Sequence, residues 1–400
     1  MGAALGGSGK SPRAGRVAVT VLLALAIAPA TAIGSPRSVA LRAADFILSA
    51  QDRHGAIPDS PRARTVNEDS NMEYALVGLA AAYGASGRER YLAGVEKGIR
   101  WLAAREEMDD PRWRGSWRYA YSAKPPYRPL AVSPGRGIAD VRGVDATSSL
   151  FVYLLDLHRR LAGNGALAAE LEPNARAALD FVLASNRLRS GFFASSWQLH
   201  GDAWRLWRFQ YAADQGDVLL GLRAGARLYG HPGYADAGAF LTRRIPRAFF
   251  SSARGRYALG REGNARDMSR EGFDGIFPQG YLPWILGPGR ASRHAFAWLR
   301  DGVRRSGAVV PWTPGRAYTL SAAMLGLAAQ GSDRRWPARS RRWLLRVPFD
   351  RRTGGFRDTA EARSPRYVNV AAFAILSLLR FRPWRGGPAT SLERAAAGST

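Results

Sequence analysis

The chain has 400 residues, 46% of them hydrophobic and 22% charged, enough apolar material for a large core, which excludes a disordered or collagen-like chain. There is no cysteine, so disulfides, thiolate metal sites and cysteine nucleophiles are excluded. The formal charge is +26, and all but three of the 58 basic residues are arginine; they are scattered with no basic run, which favours acidic partners such as uronate polymers and argues against nucleic acid.

Residues 1–32 read as an export signal. Lys10, Arg13 and Arg16 precede the apolar stretch Val17–Ala28, and Ala30-Thr31-Ala32 offers a small-residue cleavage site. The apolar stretch is too short to span a bilayer, and no later one is long enough. The expectation is a secreted, periplasmic or cell-surface protein, monomeric, with no stable membrane span after cleavage and no cofactor.

From residue 38 to 382 one unit recurs six times. A one-sided helical segment ends in an aromatic residue and aliphatics, and a glycine turn follows. The turns are Gly55-Ala56-Ile57, Gly115-Ser116-Trp117, Gly191-Phe192-Phe193, Gly255-Arg256-Tyr257, Gly307-Ala308-Val309 and Gly354-Gly355-Phe356. A second helical segment then begins, at 68–83, 143–161, 211–229, 277–286, 317–329 and 366–380. These second segments are apolar around most of their circumference, the pattern of buried helices. The first segments, such as 88–105, carry more charge and are expected outside them.

Six outer–inner hairpins in one domain resemble the six-hairpin (α/α)6 superfamily of carbohydrate-active enzymes. The resemblance implies an all-α fold, an (α/α)6 toroid over residues 38–382, with 383–400 as a flexible tail.

The glycine turns lead into the amino ends of the inner helices, so those ends share one rim. Three long connections, 106–142, 188–210 and 251–276, fall on the same rim. They are rich in aromatics, which stack on the apolar faces of sugar rings; Trp117, Trp197, Trp204, Tyr211 and, in the fourth inner segment, Tyr281 are candidates. Acids gather there too. Glu68, Asp69 and Glu73 open the first inner helix, Asp140 and Asp145 precede the second, Asp214 and Asp217 open the third, and Glu271 and Asp274 precede the fourth. Each alone serves as well as a helix cap; together they offer the acid and base of glycoside cleavage.

Thr65-Val66-Asn67-Glu68 followed by Ser70 resembles the segment that carries the proton-donor glutamate in glycoside hydrolase family eight, which implies Glu68 as acid. Val144-Asp145-Ala146-Thr147 is similar to a second acidic segment of that group but lacks its second aspartate, leaving Asp145, Asp140 and Asp214 as alternative bases. Asp69, Asp140, Asp217 and Asp274 join the aromatics as candidate substrate contacts. The five histidines show no metal spacing, so no metal is expected. His200 and Tyr211 with Arg205 and Arg208 would instead suit a lyase on an anionic polymer. A non-catalytic glycan-binding toroid is the third reading.

Overall fold

The computed structural model describes residues 34–268, 273–312 and 315–384. The expected leader, Glu271 and residues 385–400 lie outside the described residues. Thirteen α-helices are described: α1 (Pro36–Ala50), α2 (Asn71–Ser86), α3 (Glu89–Ala103), α4 (Asp145–Ala162), α5 (Ala166–Glu170), α6 (Glu172–Phe181), α7 (Ala212–Tyr229), α8 (Pro232–Phe249), α9 (Phe273–Leu286), α10 (Arg290–Asp301), α11 (Thr319–Gly331), α12 (Ala338–Arg346) and α13 (Val368–Leu378). Among the described residues no helix is long and apolar enough to cross a membrane.

The apolar segments α2, α4, α7, α9, α11 and α13 are buried over most of their length. Each packs on the next, and α13 packs back on α2. The amphipathic helices lie against this inner series. Helix α1 touches α13 and α2, α3 touches α2 and α4, α6 touches α4 and α7, and α10 touches α9 and α11.

Small residues set the spacing of the inner helices. A β-carbon on Gly221 of α7 would lie 2.5 Å from the Ser149 carbonyl oxygen of α4, and one on Gly280 of α9 would lie 2.4 Å from that of Met324 in α11. The close approach offsets the roughly 0.5–1 kcal/mol that a mid-helix glycine costs relative to alanine.

The glycine turns fasten neighbouring units. Gly115 has φ +87°, and a β-carbon there would sit 1.9 Å from the Ala177 carbonyl oxygen in α6. Gly55 meets Lys97 of α3 in the same way, and Gly307 meets Arg339 of α12. Gly354, after α12, abuts the Arg42 carbonyl of α1. The contact therefore runs from the sixth unit back to the first.

The connections also carry four small antiparallel sheets, which the helical reading of the sequence did not include. The sheet that matters most joins Asp140–Arg142 to the hairpin Ser196–His200/Ala203–Trp207. Another pairs Gln210–Tyr211 with the hairpin Gly260–Glu262/Ala265–Asp267. At the other end of the chain, Pro383 and Trp384, expected to begin a flexible tail, are packed. The Tyr153 hydroxyl donates to the Pro383 carbonyl at 3.2 Å and the Trp384 indole N–H to the Ile285 carbonyl at 2.7 Å. The Arg223 guanidinium covers the Trp384 ring at 4.6 Å.

Candidate active site

The amino ends of five inner helices line a cavity of about 450 Å³. Asn71 and Tyr74 come from α2, Ala146 from α4, Asp214 from α7, Phe277 from α9, and Asn369 and Phe373 from α13. The connections add Asp69, Tyr119, Trp207 and Tyr211. Tyr74, Phe277 and Phe373 pack on one another with ring centroids 4.9–6.0 Å apart, giving the wall an aromatic patch.

Asp69 reaches this wall through a strained backbone. Asn67, Asp69 and Ser70 hold φ values of +59°, +53° and +63°, a left-handed region that costs a non-glycine residue on the order of 1–3 kcal/mol. Specific bonds hold the turn. The Asn67 amide donates to Glu73 Oε1 at 2.9 Å and its carbonyl oxygen accepts from the Met72 N–H at 3.1 Å. The Ser70 and Thr147 hydroxyls share a 2.9 Å bond. Asp59 accepts from the Thr65 hydroxyl at 2.5 Å and from the Glu68 N–H at 3.2 Å. Asp69 is left exposed at the cavity.

Burial dominates the electrostatics. Asp214 is pushed up to about 7 by desolvation and by the negative charge of Asp69, against a bond from Ser195. Behind the wall, burial drives Asp145 well above the usual carboxylate range, and Asp214 and Asp217 add to the shift. Its Oδ1 accepts the Ala146 N–H at 2.9 Å, while its buried Oδ2 has no hydrogen-bond partner. Asp217 is also raised by burial and by Asp214, although the Tyr281 and Tyr74 hydroxyls both donate to it, Tyr74 at 2.9 Å. Burial takes Glu73 to about 8 and Asp59 to about 7. Several carboxyls around the cavity thus hold protons at or near neutral pH.

The sequence candidates separate into two groups. Asp69, Asp214 and Tyr211 line the cavity. Asp145 is fully buried one residue before the lining Ala146. Glu68 does not line it: the left-handed turn directs its carboxylate to the Thr65 hydroxyl, 3.3 Å away. Trp117 is 1% exposed, donates its indole N–H to the Leu102 carbonyl at 2.8 Å and packs on Phe151, so it is a core residue and not a sugar platform. Trp197 and Trp204 are half-buried against Trp113, with centroids 5.7 and 5.2 Å from it, outside the lining. Asp140 is a buried structural group, paired with Arg118 at 3.1 Å and accepting the Val132 and Val141 N–H groups. Asp217 and Tyr281 are buried and bonded to each other, which withdraws both from direct substrate contact. Asp274 lies in α9, and its side chain is outside the described residues. His200, Arg205 and Arg208 sit on or beside the 196–207 hairpin and do not line the cavity.

Sequence reasoning missed Tyr74, Tyr119, Phe277 and Phe373 as wall residues, and did not single out Trp207 from the other tryptophans of the long connections. The available signal was an aromatic within the first two turns of an inner segment, which Tyr74, Phe277 and Phe373 share. Among the described residues no group of three histidine or carboxylate side chains is arranged to hold a metal ion.

No protein-family model matches this sequence, and neither does any curated protein. Solved structures do match, and the likeness is one of fold. The unsaturated glucuronyl hydrolase of Bacillus sp. GL1, described as responsible for the degradation of glycosaminoglycan, aligns with a TM-score of 0.60 and 14% identity over 86% of this chain and 96% of its own. A D-mannose isomerase aligns at 0.62 with 12% identity, over 86% and 97% of the two chains. A glycosidase variant in complex with glucose aligns at 0.56 with 14% identity, over 86% and 95%. None of the three is named as a family-eight hydrolase, and that resemblance rests on the short Thr65–Ser70 and Val144–Thr147 segments.

Proposed function

We propose that the chain is an exported (α/α)6 toroid that hydrolyses a glycosidic bond, and that its carboxylate pair is Asp69 and Asp214. The toroid is supported by the cyclic order of inner-helix contacts and by the fold of the solved neighbours; export is supported by the pattern of residues 1–32. The observation that carries the chemistry is one cavity wall holding two carboxylates, one exposed and one raised to about 7. A carboxyl that keeps its proton near neutral pH can act as a general acid while an ionised partner serves as base. Asp214 gives its proton to the glycosidic oxygen. Asp69 takes a proton from the water that attacks the anomeric carbon, so the leaving sugar departs as an alcohol and charge balances.

Asp145, buried and short of a partner, stays protonated behind Asp214 and keeps another negative charge out of the wall. Trp207 and Tyr211 offer ring faces to the sugar. The described lining includes no arginine, lysine or histidine, which favours an uncharged sugar ring in the cavity over a uronate, despite the basic surface.

The test is release of reducing sugar from a panel of neutral and uronate oligosaccharides by wild type and Asp69→Asn. Hydrolysis of a neutral substrate, lost at least a thousandfold in Asp69→Asn with an unchanged circular dichroism spectrum, is the expected result. Full activity in Asp69→Asn would remove that residue from the reaction, and an unsaturated, ultraviolet-absorbing product would make the enzyme a lyase instead.

A further inference from the structure

The carboxyl-terminal turns of α8 and the hairpin Gly260–Asp267 enclose a second concavity that shares no lining residue with the acidic cavity. Four of its lining residues are arginines: Arg244, Arg247, Arg261 and Arg266. None of the described lining residues is acidic, and the hairpin's own carboxylates, Glu262 and Asp267, are not part of it.

Among the described residues, Arg261 and Arg266 are held by neutral groups. Arg266 donates to the Ala248 and Arg247 carbonyls at 2.7 and 2.8 Å. Arg261 donates to the Gly263 carbonyl at 2.8 Å and to the Asn264 side-chain oxygen at 3.0 Å. Arg244 and Arg247 are exposed on the last turns of α8 and form no ion pair among the described residues. Burial and the like charges of Arg266 and Arg244 lower the Arg261 pKa, so the crowding carries a cost.

Other arginines of this protein meet carboxylates, as Arg90 does with Asp45 and Arg382 with Asp333. Four guanidiniums crowded with no acidic residue among the described lining make a site that gains from an anion, because their donor forks match the oxygens of carboxylate, phosphate or sulfate. The lining Ser251 hydroxyl and Asn264 side chain add neutral polar groups.

We propose that the Arg244–Arg247–Arg261–Arg266 concavity is an oxyanion-binding site, distinct from the acid-lined cavity. It does not depend on the hydrolase reading. The ligand is either a free inorganic oxyanion or the acidic group of a glycan.

Calorimetric titration at low salt, with inorganic phosphate in one arm and oligogalacturonate in the other, tests this on the whole chain. Arg244→Gln/Arg247→Gln is compared with Arg341→Gln/Arg342→Gln, two exposed arginines of α12 whose loss changes the net charge equally. The site predicts saturable binding in at least one arm, weakened tenfold or more by the first pair and less than twofold by the second. Binding in the phosphate arm alone identifies a free oxyanion, and binding in the oligogalacturonate arm identifies a glycan acid. Should the first pair fail to fold, Arg244→Glu alone reads the same loss. Absence of binding in both arms, or equal weakening by the two pairs, overturns the proposal.

Discussion

Asp214→Asn separates the role proposed for this carboxyl in the reaction from what it does to the fold. Raising an aspartate from its ordinary 3.8 to about 7 places about 4 kcal/mol between its charged form in the folded and unfolded chains. The sign follows from proton counting. Between pH 3.8 and 7 the folded chain binds the extra proton, so stability is fully present below 3.8 and is lost as pH rises through about 7. Asparagine carries no charge at any pH and escapes that loss. With an unfolding entropy of about 0.7 kcal/mol/K for a body of this size, 4 kcal/mol corresponds to about 6 °C. Asp214→Asn is therefore expected to melt about 6 °C above wild type at pH 8, to converge with it near pH 4, and to lose hydrolysis. Paired thermal melts across that range, with reducing-sugar assays on the same samples, provide the measurement. A melting difference that does not change with pH would refute the account of Asp214, whatever its activity.

Two further pairs of variants follow from the same environment. Trp207→Ala, on the cavity wall, should raise KM about tenfold, a loss of roughly 1.4 kcal/mol of binding, with little change in melting; Trp117→Ala, in the core, should cost about 3–5 kcal/mol of stability, and steady-state kinetics beside urea melts tell them apart. Glu73, raised to about 8, is already neutral at pH 7, so Glu73→Gln should stay within about 1 kcal/mol of wild type there. Asn67→Ala, which strips partners from Glu73 and from the Met72 N–H, should cost about 2–3 kcal/mol in the same melts.

Much of the helical layout can be read from the chain because its signals are local and repeated. The all-round apolar pattern of 143–161 and 211–229 lies within two residues of α4 and α7 at each end. Gly115 was recognisable as a turn, though not its role in admitting the backbone of α6. The site was harder to read. Whether Glu68 or Asp69 faces the cavity is decided by left-handed backbone at Asn67, Asp69 and Ser70, where the only outward sign is an acidic and amide-rich run that equally suits an ordinary cap. Tryptophans in the long connections look alike in sequence whether they plug the core, as Trp117 does, or face a cavity, as Trp207 does. Tyr74, Phe277 and Phe373 were hidden for the opposite reason, since an aromatic in a buried helix reads as packing.

The two ends of the described body meet in the cavity wall. Asn71 and Tyr74 come from its beginning, Asn369 and Phe373 from its end, and the Asn369 amide donates to the Asn71 side-chain oxygen across 298 residues of sequence. Contacts that distant carry a large closure entropy and form late. A chain that stops before α13 accordingly lacks Asn369 and Phe373 from this wall. The wall closes only when α13 docks against α2, so any activity of the cavity depends on the contact between the first and last inner helices of the described body.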